Sequence, residues 1–328
     1  MDTTVDIVIP TYNRHVRLAS TLRSIASQTV SGYRTIVVDD GSSPPVAASL
    51  DPELAAAANV TCLTSSGNGG PARARNAGVA AGNARFIAFV DDDVDPVPDW
   101  LMRHLAVHQS GTPLATIGPL LPPPGWQPTP WNWWESRTLA REYGKMQRGL
   151  YEPTCRQFFT GNAVVRRQDF EAAGGFDEHL LRAEDIEFGL RMQELGTQFR
   201  FVATAAGWHD SYRTAESWLR MARQYAAADR LIDRLHPDQG WAEMVTRERA
   251  ARKRAMRFAR RIARPGDTHE RVVRSLMLAA RATFALGARS ASSRVLAMAF
   301  DLEYAEGARR AAQPDGQDPA RGIARVAA

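Results

Sequence analysis

With 328 residues, 44% of them hydrophobic and 23% charged, the chain can bury one large core or two modest ones, which suits an ordinary globular protein. No stretch reaches the roughly 18 apolar residues that span a bilayer, which excludes a membrane-spanning helix. The formal charge of +5 is small and uneven, with acidic residues gathered at a few points in the earlier part of the chain and basic residues dominating between Arg247 and Arg264.

From Val5 to about Gly118, short β-branched runs alternate with helical periodicity, the pattern of a mostly parallel α/β sheet. Strands are expected at Val5 to Ile9, Thr35 to Val38, Val60 to Thr64 and Phe86 to Val90. Leu18, Leu22 and Ile25 fall at helical spacing between the first two, and Pro71 and Gly82 bracket a second helix. After Gly118, the prolines of Pro119 to Trp126, followed by Trp131, Trp133 and Trp134, predict a long loop over 119–135, because proline at that density continues neither helix nor sheet. Order is expected to return with a strand from Gln157 to Arg166, a helix near Asp169 to Ala173 and the turn Gly174-Gly175-Phe176-Asp177. A helix from Glu184 to Leu195, ended by Gly196, and a strand from Gln198 to Val202 then lead to Trp208-His209-Asp210. Beyond Glu216 the Ala-, Arg- and Leu-rich sequence reads as a helical extension broken near Pro237, Pro265-Gly266 and Gly287. The tail from Gln313 is expected to be disordered.

Three acidic clusters stand at element ends: Asp39-Asp40, Asp91-Asp92-Asp93 and Glu184-Asp185. Three adjacent aspartates repel one another unless a cation joins them, and hard oxygen ligands suit Mg²⁺ or Mn²⁺, which keep sites for phosphate oxygens. The competing reading is that Asp91 to Asp93 caps the next helix and shapes a turn. In parallel sheets, ligands bind beyond the carboxyl ends of the strands, and Pro10 to Asn13, Asp39 to Ser42 and Asp91 to Asp93 all occupy such ends. Cys62 and Cys155 match no metal or redox spacing and read as buried thiols. The opening Met1-Asp2-Thr3-Thr4 carries neither a basic segment nor a long apolar run, so a cytoplasmic location is expected.

Val-Ile-Pro-Thr-Tyr-Asn-Arg at 8–14, Val-Val-Asp-Asp-Gly-Ser at 37–42, Gly-Gly-Pro-Ala-Arg-Ala-Arg-Asn-Ala-Gly at 69–78 and Phe-Val-Asp-Asp-Asp at 89–93 occur in that order. Together with Gly161-Asn162-Ala163, Gly174 to Asp177 and Ala183-Glu184-Asp185, they resemble the family 2 glycosyltransferases, whose fold is termed GT-A. The resemblance covers about residues 4 to 210. It implies an α/β fold with a nucleotide-sugar-binding half over 1–118, an acceptor-binding half over 119–214, a helical extension over 215–312 and a disordered tail over 313–328. It also implies an inverting transferase that moves a sugar from a nucleotide-diphosphate donor, foremost a UDP-sugar, to the hydroxyl of a glycan, a lipid-linked sugar or a natural product.

Carried onto this chain, the resemblance places Pro10, Thr11, Tyr12, Asn13, Arg14, Gly41 and Ser42 around the nucleoside, with Asp40 accepting a hydrogen bond from uracil and Asp39 supporting its strand end. Arg73, Arg75 and Asn76 stand near the diphosphate. Arg73 and Arg75 point in different directions on a helix, so one of the two is expected to touch the donor. Asp91 and Asp93 form the Asp-x-Asp signature, with Asp92 between them: Asp93 is the metal ligand, Asp91 sits nearer the ribose or acts as a second ligand, and His209 is a third ligand or a structural histidine. Mn²⁺ or Mg²⁺ is the implied cofactor. Asp185 is the general base, with Glu184 contacting the acceptor or supporting the base, against the plainer reading that both acids favour a positive helix start.

The Trp cluster could stack on a sugar or aromatic acceptor, or pin the loop to the core. Two other functions compete. A sugar-1-phosphate nucleotidyltransferase would need a Gly-rich, Arg-containing loop after the first strand, where Pro10-Thr11-Tyr12-Asn13 stands instead. A non-catalytic binding protein would use the basic segment Arg247 to Arg264, whether on nucleic acid, which is not expected, or peripherally on a membrane; the plainer reading of that segment is a solvated helix face.

Overall fold

A computed structural model describes residues 4–108, 112–180, 182–250 and 267–312. The described residues fall into two units, one from Met1–Trp126 with Thr138–Ser211, the other from Gln127–Arg137 with Tyr212–Ala328. The first unit begins with β1 (Val5–Thr11), α1 (His15–Ala26), β2 (Tyr33–Asp39), α2 (Pro52–Ala57), β3 (Val60–Thr64), α3 (Pro71–Ala80) and β4 (Phe86–Val90). It continues through β5 (Val94–Pro96), α4 (Trp100–Val107), β6 (Leu114–Ile117) and β7 (Leu120–Leu121) to α5 (Pro130–Gln147), whose first turns belong to the second unit. β8 (Asn162–Arg166), α6 (Arg167–Ala172), α7 (Glu184–Glu194), β9 (Gln198–Phe201) and β10 (Gly207–His209) complete it.

A seven-stranded sheet runs β3-β2-β1-β4-β8-β6-β9, and a small sheet runs β5-β10-β7. β1 lies parallel to both β2 and β4, while β8 is antiparallel to its neighbours β4 and β6. The central strands are buried on both faces, with Val5, Ile7, Val8 and Ile9 all at 1% exposure or less, and this explains their unbroken apolar runs. Leu18, Leu22 and Ile25 of α1 are buried in the same core. Gly78 lets α3 sit directly on the sheet, since a Cβ there would stand 2.5 Å from Val8 Cγ1.

This topology gathers the carboxyl ends of β1, β2 and β4. Thr11 pairs with Asp39, and the Asp40 amide donates to the Thr11 carbonyl at 2.9 Å, carrying the pairing one residue further. Because β8 is antiparallel, its first residue, Asn162, pairs with Val90 at that same edge.

Three sequence expectations are corrected. The expected loop over 119–135 contains β7 and the start of α5. Pro130 opens that helix at a position where its missing N–H costs nothing, and Leu120-Leu121 finds room to pair with Gly207 and Trp208. The expected strand from Gln157 shortens to Asn162–Arg166, because Thr154 caps a 3₁₀ turn over Cys155–Gln157. The helix expected near Asp169 begins at Arg167.

The second unit holds α8 (Ala215–Leu235), α9 (Trp241–Ala250), α10 (Asp267–Ala285) and α11 (Arg289–Arg310). Thr214 caps α8, and Asp229 accepts from Tyr304 Oη and Trp241 Nε1. The Trp cluster is packed here. Trp131 is buried and donates to the Arg213 carbonyl, and Trp134 meets Trp218 and Phe300. Trp133 has Arg137 and Arg289 over its ring and Phe284 at 5.8 Å. These contacts fit the pinning role, and the rings are taken up by protein neighbours. The expected breaks at Pro237 and Gly287 are present. Most of the basic segment, residues 251–264, lies outside the described residues, as do Pro265-Gly266 and the tail 313–328. Among the described residues no helix is long and apolar enough to cross a membrane.

Candidate active site

Beyond β4 the chain turns at Asp92 and Asp93, and the three aspartates meet Arg75, Thr11, Arg14 and His209 between them. Asp91 Oδ1 accepts from Arg75 Nη2 at 2.8 Å. Asp92 turns inward, where its oxygens accept from Thr11 Oγ1 at 2.7 Å and Arg14 Nη1 at 3.1 Å. Asp93 Oδ2 accepts from Arg14 Nη1 at 2.8 Å, and its other oxygen lies 3.5 Å from His209 Nε2. Burial raises the Asp92 carboxyl to about 6, partly offset by Arg14 and by the Thr11 hydroxyl. The turn reading also holds, since the Val94 amide donates to the Asp91 carbonyl.

The pairing of β10 with β5 sets His209 opposite Val94, next to Asp93 in sequence. Sequence spacing over more than a hundred residues carried no sign of this antiparallel register. Asp93 and His209 therefore offer an oxygen and an imidazole nitrogen near the separation of adjacent ligands around a six-coordinate ion, about 3 Å. That donor set fits Mn²⁺ or Mg²⁺ shared with phosphate oxygens. Among the described residues no group of three or more acids, histidines or cysteines is arranged to hold a metal by itself.

The end of β2 is occupied by main-chain contacts. Asp39 accepts from the Ser42 and Val46 amides, each at 2.8 Å, so it does support the strand end. Asp40 faces the Gly69 and Gly70 amides at 2.8 to 3.0 Å, with both oxygens engaged. Gly41 is required there, because its φ is +84° and a Cβ would stand 2.8 Å from Gly67 Cα. Asn13, at φ +54°, exchanges bonds with Ser42 and Ser43: its amide donates to Ser42 Oγ and its Oδ1 accepts from the Ser43 amide. Pro10 is half-buried within β1, and Tyr12 is 38% exposed beside Asn13.

On α3 the two arginines diverge as expected. Arg73 is exposed, lies along Gly69 and takes no hydrogen bond or ion pair among the described residues. Arg75 is buried, with Nη1 donating to Glu184 Oε1 at 2.8 Å and Nη2 to Asp91. Asn76 holds the Gly174 to Asp177 turn, donating to the Phe176 carbonyl and accepting from the Phe176 amide, both at 2.9 Å. Arg75 and Asn76, expected beside the donor, are thus engaged with the protein itself.

Glu184 and Asp185 open α7 after Ala183, whose φ of +61° turns the chain into the helix. Asp185 keeps some exposed surface yet is densely enclosed by protein. That enclosure, with the Glu184 charge beside it, raises its carboxyl to about 7, while Arg75 works in the opposite sense. Further along α7, Arg191 donates to both oxygens of Glu187 at 2.7 Å.

Asn162, in the Gly161-Asn162-Ala163 motif, has a task that no sequence pattern shows. Asn162 Nδ2 donates to the Pro119 and Ala205 carbonyls, and Oδ1 accepts from Trp100 Nε1 at 2.6 Å and meets His104 Nε2 at 3.0 Å. Burial lowers His104 to about 4, which keeps it neutral. This network fixes the start of β8, where a Cβ on Gly161 would reach 2.9 Å from Asp91 Oδ2.

Residues 6–174 match the family model for Glycosyl transferase family 2, and the chain belongs to that family. A pre-mycofactocin glycosyltransferase of Mycobacterium tuberculosis is 30% identical over 236 residues, which cover 72% of this chain and 48% of that protein. A chondroitin synthase of Escherichia coli is 28% identical, with 62% of this chain and 34% of that protein covered. The chain thus spans about half the length of the mycobacterial relative, and less of the other. Among solved structures, the mannosyltransferase PcManGT of Pyrobaculum calidifontis, in complex with GDP-Man and Mn²⁺, superposes with a TM-score of 0.63 at 17% identity, covering 94% of this chain and 87% of that one. S. aureus TarS 1-349 in complex with UDP gives 0.55 at 18%, covering 93% and 90%. The α/β fold with its mostly parallel sheet is that of the GT-A glycosyltransferases.

Proposed function

We propose that the chain is an inverting, metal-dependent glycosyltransferase that uses a nucleotide-diphosphate sugar, with UDP-sugars the first choice, and an acceptor hydroxyl on a glycan, a lipid-linked sugar or a natural product. The observation that carries this is the arrangement around Arg75: a strand-end carboxylate on the donor side, Asp91, is tied through one guanidinium to the helix start that bears Asp185. In the reaction, Asp185 takes the acceptor hydroxyl proton as that oxygen bonds to the anomeric carbon. The bond from that carbon to the diphosphate oxygen breaks, and its electron pair leaves with the nucleoside diphosphate. Asp93 and His209 would hold Mn²⁺ or Mg²⁺, which when bound neutralises charge on the departing diphosphate. Exposed Arg73, with its planar fork, is the guanidinium available to a phosphate. Thr11, Arg14 and Asp92 hold the floor beneath the nucleotide. The nucleotide ligands named for the two solved structural neighbours, UDP and the sugar donor GDP-Man, support a nucleotide-linked sugar. Family membership leaves the nucleotidyltransferase reading without support.

Screening UDP-, GDP- and dTDP-sugars for Mn²⁺-dependent thermal stabilisation identifies the donor, because a ligand that binds only the native state raises its apparent stability. Nucleoside diphosphate release with candidate acceptors then tests transfer. Full turnover by Asp185→Asn would refute the assigned base, and stabilisation by every nucleotide sugar equally with or without Mn²⁺ would refute the metal.

A further inference from the structure

Arg75 joins two parts of the first unit that sequence separates by more than ninety residues. Its Nη1 and Nη2 reach Glu184 and Asp91 at 2.8 Å each, so one planar group fixes the spacing of the two carboxylates. The side chain is 5% exposed, its Nε has no hydrogen-bond partner, and the Phe176 ring lies 5.9 Å from its central carbon. The helix carrying it has no slack: Gly78 seats α3 against Val8 and Val38, and the adjacent Asn76 grips the Phe176 main chain. Withdrawing Arg75 to bind phosphate would leave the buried Glu184 carboxylate without its cation, whereas Arg73 is exposed on the same helix.

We propose that Arg75 is a positioning residue for sugar transfer, which acts through Glu184 to set the base helix against the donor side rather than by touching the diphosphate. The proposal rests on the transferase reading above and assigns a role to a residue that motif matching places among donor contacts.

The test compares Arg75→Lys, Arg75→Met, Glu184→Gln and the Arg75→Met/Glu184→Gln double variant, with kcat from nucleoside diphosphate release and affinity for UDP and GDP, each with Mn²⁺, from calorimetry. A displacement of about 1 Å at the reacting centre lowers turnover on the order of a hundredfold, so Arg75→Met is expected to lose about that in kcat while nucleotide affinity changes less than about threefold. Lysine, which keeps the charge but cannot span both carboxylates as a fork, is expected to restore turnover in part. The double variant is expected to be no slower than Arg75→Met, as for residues acting as one unit. Nucleotide affinity falling in step with kcat would make Arg75 a phosphate ligand and overturn the proposal. So would full turnover in Arg75→Lys, or losses that multiply in the double variant. If Arg75→Met does not fold, the Arg75→Lys split between kcat and affinity decides. Failure of the transferase reading is recognised separately, by a parent protein that releases no nucleoside diphosphate from any of the UDP-, GDP- or dTDP-sugars.

Discussion

Lowering the pH is the most direct perturbation of the proposed base. Enclosure by protein, reinforced by Glu184 and eased by Arg75, raises the Asp185 carboxyl to about 7. A base with that midpoint is about nine-tenths ionised one unit above it and about one-tenth ionised one unit below, so kcat should fall roughly tenfold from pH 8 to pH 6. An ordinary aspartate, with its midpoint near 3.9, would leave the rate flat across that window. The assay is the initial rate of nucleoside diphosphate release at saturating donor and acceptor, with enzyme held at pH 6 and returned to pH 8 to show that the loss is reversible. Glu184→Gln removes the neighbouring negative charge and should move the midpoint downward. The same shift opposes folding. The native state holds this proton more tightly than the unfolded chain, so the contribution is absent at low pH and stability declines as pH rises from about 4 to about 7. Asp185→Asn is therefore expected to melt no lower than the parent above pH 7. A flat rate profile from pH 5.5 to 8 would refute the reasoning, as would a midpoint that Glu184→Gln does not move.

Other consequences are equally specific. Asp93→Ala should abolish Mn²⁺-dependent stabilisation by the nucleotide sugar while leaving the metal-free melting temperature within a few degrees, as read by scanning fluorimetry. Asp6 is buried and accepts from Arg34 Nη2 at 2.9 Å, Arg167 Nη2 at 2.8 Å and the Ala84 amide at 2.8 Å. Asp6→Ala removes the carboxylate that joins these donors and should destabilise the chain by about 3–5 kcal/mol in urea unfolding. Gly118→Ala would bring a Cβ to 1.9 Å from the Ala205 carbonyl and 2.4 Å from Asn162 Nδ2. It is expected to disturb the Asn162 network and lower both melting temperature and yield. Trp133→Ala should leave donor affinity unchanged in calorimetry, because its ring is engaged by Arg137, Arg289 and Phe284.

Phe86–Val90, buried along nearly its whole length, lies where its apolar run places it, and the half-exposed edge strand Val60–Thr64 was legible from its β-branched residues. Legibility failed where one residue type carries two physical roles. The prolines after Gly118 speak against regular structure, yet Pro130 sits at a helix start, where its fixed φ is an advantage. The acidic clusters were visible as site markers, but their division of labour was not. Asp40 faces Gly69 and Gly70 only because the 67–70 loop folds back over Gly41, a long-range contact without local signature. Arg75 and Arg73 are both arginine on one helix, and only the position of α7 decides which of them is buried.

The division among the three aspartates follows from the strand that ends at Val90. The turn that follows it, closed by the Val94 amide on the Asp91 carbonyl, sends Asp92 into the body of the fold, where Thr11 and Arg14 accommodate it, and leaves Asp91 and Asp93 with Arg75 and His209 as neighbours. Arg14 bonds both Asp92 and Asp93, so the cation that belongs to the nucleotide-binding turn and the carboxylate that would hold the metal are mechanically joined. Engaging Asp93 elsewhere must weaken its bond to Arg14, and an exposed guanidinium released in this way stands next to Tyr12 and Asn13, where a nucleotide is proposed to lie. Arg14→Lys, which replaces the planar fork and its shared Nη1 with a single ammonium, should therefore lower nucleotide affinity more in the presence of Mn²⁺ than in its absence. An equal loss in both conditions, measured by calorimetry with UDP, would show that Arg14 and Asp93 act independently.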